Sequence, residues 1–317
     1  MTSIRKDDKQ DVLKSRIGTS PTTDYRLDDM AAHLESSGQF RVLREYQKPK
    51  NYCKDDGSPK TTGIFLDVET TGLNSNKDKI IRLSMVAFTF SKDGRIFEII
   101  DEFDAFEDPQ VPISAEITDL TGITNEQVAG KKIDDQAVAT FMSDAVILIA
   151  HNAGFDRPFV EKRFPNINNK AWACSLNEVP WKEEGLTSRS LEFLAYKCGF
   201  YFEGHRAIQD CLAATHILAH RLPQSGTLVL SELLKNARKT TYRIWANGAP
   251  FEKKNLLKQH GYKWNDGNDG RPKAWFIDVF NDGTDEQKMF LEQQVGISTA
   301  RLKIEQFNAY DRYSNNI

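Results

Sequence analysis

Cysteine is scarce in this 317-residue chain: only Cys53, Cys174, Cys198 and Cys211 occur, and none are spaced C-x-x-C. Their spacing argues against a zinc ribbon, and the chain is too long for a small secreted disulfide scaffold, so free thiols in a reducing compartment are expected. No apolar run approaches the roughly 20 residues that span a bilayer, and Met1 to Arg16 is charged rather than signal-like. These absences predict no membrane association and a cytoplasmic location. Strong net charge is missing too. The balance is −3, so any affinity for nucleic acid must come from how charge is distributed. There is no internal repeat and no low-complexity tract. What remains is 39% apolar and 27% charged, the composition of an ordinary globular protein long enough for a main domain with appendages.

The segment up to about Pro21 is polar with almost no periodic apolar residues and reads as a flexible arm. Met30, Ala31 and Leu34 then fall at helical spacing, Gly38 offers a stop, Phe40, Val42 and Leu43 suggest a short strand, and Lys48 to Thr62 is a polar linker. Gly63 to Glu69 is a strand, followed by the turn Thr70-Thr71-Gly72 and a second strand over Ile80 to Phe90. Asp93-Gly94 is a hairpin signal leading to a third strand, Arg95 to Phe106. Helices are predicted around Ala115 to Asp119, Asp134 to Ser143, from Phe155, and over Ser190 to Cys198 and Ile208 to Leu222, with a buried strand over Ala145 to Ala150. The alternation implies an α/β sheet covered by helices. Beyond the break at Pro223 to Gly226, a helix Leu230 to Ala237 precedes a tail with strands Thr241 to Ala246 and Ala274 to Phe280 and helices Phe251 to His260 and Asp285 to Gln294. That tail reads as a small α+β unit.

Three groups of residues carry chemistry. Asp67 and Glu69 stand at i and i+2 on a strand and so project from one face. Two such carboxylates repel, and divalent cations with a preference for hard oxygen offset that, although incidental acids at a solvent-facing strand end fit as well. Asp156 follows the buried strand within His151-Asn152-Ala153-Gly154-Phe155-Asp156, at the kind of strand-end junction where α/β sheets bind ligands; taken alone it reads better as a helix cap. His205 sits in a glycine-led turn and Asp210 in the opening turns of the next helix, where a lone histidine is usually structural. Their conjunction and order within one domain raise the functional reading above these alternatives.

Asp67-x-Glu69, Asp156 and His205-x-x-x-x-Asp210 resemble the three motifs of the DEDD exonuclease superfamily, in its histidine-containing DnaQ-like branch. Asp67 to Leu73, Leu120-Thr121-Gly122-Ile123-Thr124 and Ala150 to Asp156 are similar to that family's first motif, connecting segment and second motif, and the resemblance covers about Thr62 to Leu222. It implies an α/β, RNase H-like mixed sheet flanked by helices, with Asp67, Glu69, Asp156 and Asp210 holding two divalent cations, Mg²⁺ or Mn²⁺. It also implies His205 as general base, Leu73 as a wedge beside the terminal base, Thr70 and Gly72 in contact with the terminal nucleotide, and Asn152 and Phe155 shaping the pocket. Leu73 and Phe155 fit plain core packing as alternatives.

The implied activity is metal-dependent 3′→5′ hydrolysis of nucleic acid ends, with single-stranded DNA as substrate and nucleoside 5′-monophosphates as product. RNA 3′-end trimming, or work as a proofreading subunit beside a DNA polymerase or repair partner, are the alternatives. Residues 1–61 form an arm and a helix-strand extension, 62–223 the exonuclease domain, and 224–317 a linker helix and a basic, aromatic module. Within that module Arg243, Lys253, Lys254, Lys258, Lys263 and Arg271 interleave with Tyr242, Trp245, Phe251, Tyr262, Trp264 and Trp275. The pattern suits either stacking on unpaired bases or a small aromatic core under a basic surface. It resembles modules appended to some bacterial DnaQ-like exonucleases of the proofreading-subunit or exonuclease-X type.

Overall fold

The computed structural model describes residues 21–315, except 168, 205, 268, 269, 281 and 282; the expected N-terminal arm lies largely outside them. The chain runs α1 (Pro21–Ser36), β1 (Arg44–Glu45), β2 (Lys60–Thr70), β3 (Ile80–Ser91), β4 (Ile96–Phe106), α2 (Ala115–Thr121), α3 (Asn125–Val128) and α4 (Asp135–Met142). It continues through β5 (Ala145–Ala150), α5 (Ala153–Arg163), β6 (Ala171–Cys174), α6 (Leu191–Cys198), β7 (Phe200–Tyr201), α7 (Ala207–Leu218) and α8 (Val229–Ala237). The tail contributes β8 (Thr241–Ala246), α9 (Lys254–Gln259), β9 (Lys263–Trp264), β10 (Trp275–Phe280), α10 (Thr284–Phe290) and β11 (Lys303–Phe307).

The main sheet has five strands in the order β4-β3-β2-β5-β6. Strands β2, β3 and β4 form the antiparallel meander that the hairpin signal predicts, while β5 and β6 run parallel to β2. Because β5 is parallel to its neighbour β2, the ends of both strands lie at the same edge, where α5 begins. Side chains of β2 alternate as a strand must. Ile64, Leu66 and Val68 pack with Val138 of α4 and with Phe159 and Val160 of α5, whereas Phe65 packs on the opposite face with Cys211, Ala214 and Ile217 of α7. Helices thus cover both faces of a mixed sheet, as the α/β expectation requires. At the β3–β4 hairpin Gly94 adopts φ 85°, and a Cβ there would lie 2.5 Å from the backbone nitrogen of Ser231, so glycine permits α8 to approach this turn.

Helix α8, expected as a linker, buries Val229, Leu230, Leu233, Leu234 and Ala237 in the same core as Phe65. Each such apolar side chain removed from water stabilises by roughly 1.5–3 kcal/mol. The tail forms a separate four-stranded antiparallel sheet, β11-β8-β10-β9, around Ile244, Leu257, Tyr262, Phe290 and Leu291. Its last residues return to the main domain: Trp172 donates its backbone N–H to Ala309, and the buried Arg157 of α5 donates to the carbonyls of Tyr310 and Arg312.

Local expectations shift in a few places. The short N-terminal strand lies at Arg44–Glu45 rather than over Phe40 to Leu43, because its pairing partner is Phe200–Tyr201 in parallel. Strands β6, β7, β9 and β11 carry no periodic apolar signal and were not foreseen. Three of them have at most four residues, and β11 is largely exposed.

Candidate active site

Asp67 and Glu69 point from β2 toward the α7 side of the sheet, on the same face as Phe65. Opposite them in the antiparallel register stand Ser84 and Arg82 of β3. The Arg82 guanidinium is engaged by Asp104 through two hydrogen bonds of 2.7 and 2.6 Å, and Ser84 donates to the same carboxylate at 2.7 Å. Asp210 comes from the first turn of α7.

Asp156 arrives from the first turn of α5, beyond the other face of the sheet, and is 2% exposed. One of its oxygens accepts the backbone N–H of Val68 at 3.2 Å, which locks the residue between Asp67 and Glu69. The cap alternative raised by sequence is thereby resolved: the N-cap position of α5 is Asn152, and Asp156 bonds across to β2.

Asp67, Glu69, Asp156 and Asp210 all line one cavity of about 380 Å³. Burial, then the charges of Asp156, Glu69 and Asp210, hold the Asp67 carboxyl well above the ordinary carboxylate range, with Arg82 opposing. Burial raises Asp156 as well, against the Val68 N–H that favours its charged form. A set of hard oxygen donors forced into mutual repulsion is what a divalent cation relieves, so the residues fit Mg²⁺ or Mn²⁺. Among the described residues no three His, Cys, Asp or Glu side chains are already gathered about one ion position. His205, the expected general base, lies outside the described residues.

The expected substrate-contact residues also line this cavity. Leu73 is 86% exposed, which removes the core-packing alternative and leaves an apolar side chain at the pocket mouth. Thr70 is buried and its hydroxyl donates to the Gly72 carbonyl at 2.6 Å, shaping the turn. A Cβ at Gly72 would sit 2.7 Å from the Asp78 carboxyl, which accepts the Asn74 N–H, so a side chain here would push Asp78 aside. Phe155 is half-buried against Phe159, with ring centroids 5.1 Å apart, while Asn152 is exposed and makes no side-chain cap bond.

Sequence reasoning overlooked Glu192 and gave His151 no role of its own, yet both line the same cavity. Glu192 opens α6, whose N-cap Ser190 accepts from Phe193 and whose C-cap Gly199 adopts φ 90°. A Cβ at Gly204 would lie 3.2 Å from Glu192 Oε1 and 3.9 Å from Asp210 Oδ1, so the two acids flank that glycine. Nothing marks Glu192 in the sequence beyond an acid in a first helical turn. The His151 ring is 2.9 Å from Ser175 Oγ and 2.8 Å from the Arg189 carbonyl, and burial pushes its pKa down. It braces the cavity wall between Ser175 and Arg189.

In the tail, the two readings of the aromatic residues divide. Trp245 and Tyr262 are core residues, whereas Trp264 is 50% and Phe251 75% exposed. Among the described residues no helix is long and apolar enough to cross a membrane, and the cysteines carry no disulfide.

The family model for exonucleases of the RNase T type matches residues 64–218. The chain is 33% identical over 185 residues to the PolC-type DNA polymerase III of Clostridium perfringens, covering 53% of this chain and 12% of that protein. Its similarity to the PolC-type DNA polymerase III of Staphylococcus saprophyticus is 34% over 227 residues, covering 65% of this chain and 15% of the relative. The chain therefore spans only a small part of the length of the curated relatives it matches. Among solved structures, exonuclease X in complex with 5′-overhanging duplex DNA aligns at 20% identity and a TM-score of 0.39, covering 53% of this chain and 99% of that one.

Proposed function

From the match of residues 64–218 to the exonuclease family model, we propose that this protein is an exonuclease of the DnaQ-like, DEDD form that removes nucleotides from the 3′ ends of single-stranded DNA as nucleoside 5′-monophosphates. The observation that carries the reading is the convergence of Asp67, Glu69, Asp156 and Asp210, from one strand and two helices, on a single cavity. Residues 62–223 are the catalytic unit in this account, and 224–317 assist it.

The four carboxylates would hold two divalent cations, Mg²⁺ or Mn²⁺, which when bound would favour ionisation of the attacking water and offset charge on the phosphoryl and leaving oxygens. The chain's own residues do the rest. The exposed Leu73 supports the terminal base at the pocket mouth, and Asn152 and Phe155 bound the nucleotide from the α5 side. The Asp156–Val68 bond keeps Asp67 and Glu69 in register with α5. His205 takes the proton of the attacking water. The water oxygen bonds to phosphorus as the bond to the penultimate nucleotide's 3′ oxygen breaks, and the terminal nucleotide leaves with its 5′ phosphate.

The curated relatives named above are DNA polymerases, which favours DNA over RNA. They also support a second reading, in which the exonuclease edits beside a DNA polymerase; co-purification of a polymerase with the full chain would favour it. Digestion of matched DNA and RNA oligonucleotides, single- and double-stranded, with Mg²⁺, Mn²⁺ or EDTA tests the main reading. It is expected to show fastest loss of single-stranded DNA and none in EDTA. Faster loss of RNA would transfer the function to RNA trimming.

A further inference from the structure

Asn152 and Phe155 line two cavities at once: the carboxylate pocket, and a second one of about 340 Å³ bounded by the C-terminal sheet. The far wall of the second cavity carries Lys263, Arg271, Arg243 and Phe276. Arg243 is held by Asp278 through two hydrogen bonds of 2.7 and 2.8 Å and lies 4.5 Å over the Phe276 ring, so it builds the wall and backs an aromatic platform. Lys263 is exposed at the end of β9, in register with Phe276, and Arg271 reaches from the loop between β9 and β10 to the Ser314 carbonyl. Acidic groups are present as Asp278, engaged by Arg243, and Asp311; Arg312 on the same wall is engaged by the buried Glu178.

The two walls are tied together. Arg157 of α5, 1% exposed, donates to the carbonyls of Tyr310 and Arg312, and Ser314 donates to Glu161 of α5 at 2.6 Å. The cleft is continuous with the carboxylate pocket through two shared residues, and the returning tail on its wall is bonded to α5. Its volume lies at the low end of the range of roughly 300–1,000 Å³ typical of small-ligand sites, which suits one unpaired nucleotide unit and no duplex.

Resting on the exonuclease reading for its orientation, we propose that this cleft is a second subsite that holds the single strand on the 5′ side of the bond being cut. Phosphates lie near Lys263 and Arg271, and a base lies against Phe276. Cationic groups beside an aromatic face form the arrangement that binds unpaired strands without regard to sequence. The C-terminal sheet is in this account half of the substrate channel.

The test uses the full chain and a labelled oligothymidylate of about 12 nucleotides, within the site sizes of roughly 4–16 nucleotides seen for single-strand binding. Binding is followed by fluorescence anisotropy in EDTA across a salt series. Lys263→Glu is expected to weaken binding about tenfold at low salt and to flatten the salt slope by about 0.7 for each phosphate that the protein no longer neutralises; Lys263→Arg should keep both. With Mg²⁺, the rise in KM caused by Lys263→Glu should be larger for the long substrate than for a dinucleotide. Wild-type affinity and salt slope in Lys263→Glu, or equal losses on both substrate lengths, would overturn the proposal. Should the wild type bind the strand in a Lys263-dependent way yet hydrolyse nothing, the nuclease reading fails while the subsite stands.

Discussion

The carboxylate of Asp156 accepts the backbone N–H of Val68, the residue between Asp67 and Glu69, and so fastens α5 to the strand that carries two of the four site acids. One side chain thus serves geometry and charge together, and substitutions separate the two. Asp156→Asn keeps an oxygen for Val68 but loses the charge; Asp156→Ala loses both. Nuclease activity should fall at least about 100-fold in either. Only the alanine variant should lose stability, by about 1–3 kcal/mol, because it leaves a buried N–H unsatisfied. Thermal denaturation beside activity assays reads the difference.

Asp67 predicts an unusual dependence on pH. Its folded carboxyl is held above its unfolded range, first by burial and then by Asp156, Glu69 and Asp210. An unfolded aspartate ionises near pH ~3.9. The contribution of Asp67 to stability is therefore fully present below that pH and is lost as pH rises through the folded value. In EDTA, Asp67→Asn should gain stability relative to the wild type as pH rises from about 4 toward neutrality. Mg²⁺ should reverse the ranking, since only the wild type gains strongly from a ligand that binds the folded state. Parallel melting curves for the two proteins in EDTA would show that the repulsion is absent.

Arg157 is buried beside Asp156 and bonds to Glu161 at 2.7 Å as well as to the returning tail. Arg157→Met removes the cation paired with the buried Glu161, which keeps the Ser314 hydroxyl, and releases the tail. The expected cost is about 3–5 kcal/mol in urea unfolding.

Leu73 should behave in the opposite way. Exposed as it is, Leu73→Ala should leave stability within about 0.5 kcal/mol. It should raise KM for a single-stranded substrate, measured under steady-state conditions. Destabilisation on the scale of about 2–5 kcal/mol would mark a core residue instead.

The candidate site acids sit at junctions that local pattern reveals, a strand end for Asp67 and Glu69, the start of α5 for Asp156 and the first turn of α7 for Asp210, but each was ambiguous alone and only their order and spacing together raised them as a candidate site. The meander β2-β3-β4 was legible too, since its pairing is local and the Asp93-Gly94 turn announces it. Interactions between distant segments were not. No local pattern tells Arg157 that its partners are the carbonyls of Tyr310 and Arg312, or joins Arg44 and Glu45 to Phe200 and Tyr201. Nor could composition decide which tail aromatics are core: Trp245 and Trp264 look alike until β8 is central and β9 is an edge.

The central claim is most directly tested with a 5′-labelled single-stranded DNA oligonucleotide, Mg²⁺ and mass analysis of the released product. The account predicts a ladder shortening from the 3′ end with nucleoside 5′-monophosphates released, abolished by EDTA and slowed at least about 100-fold in Asp67→Asn. Internal cuts, release of the labelled 5′ nucleotide first, or an Asp67→Asn rate equal to that of the wild type would contradict it.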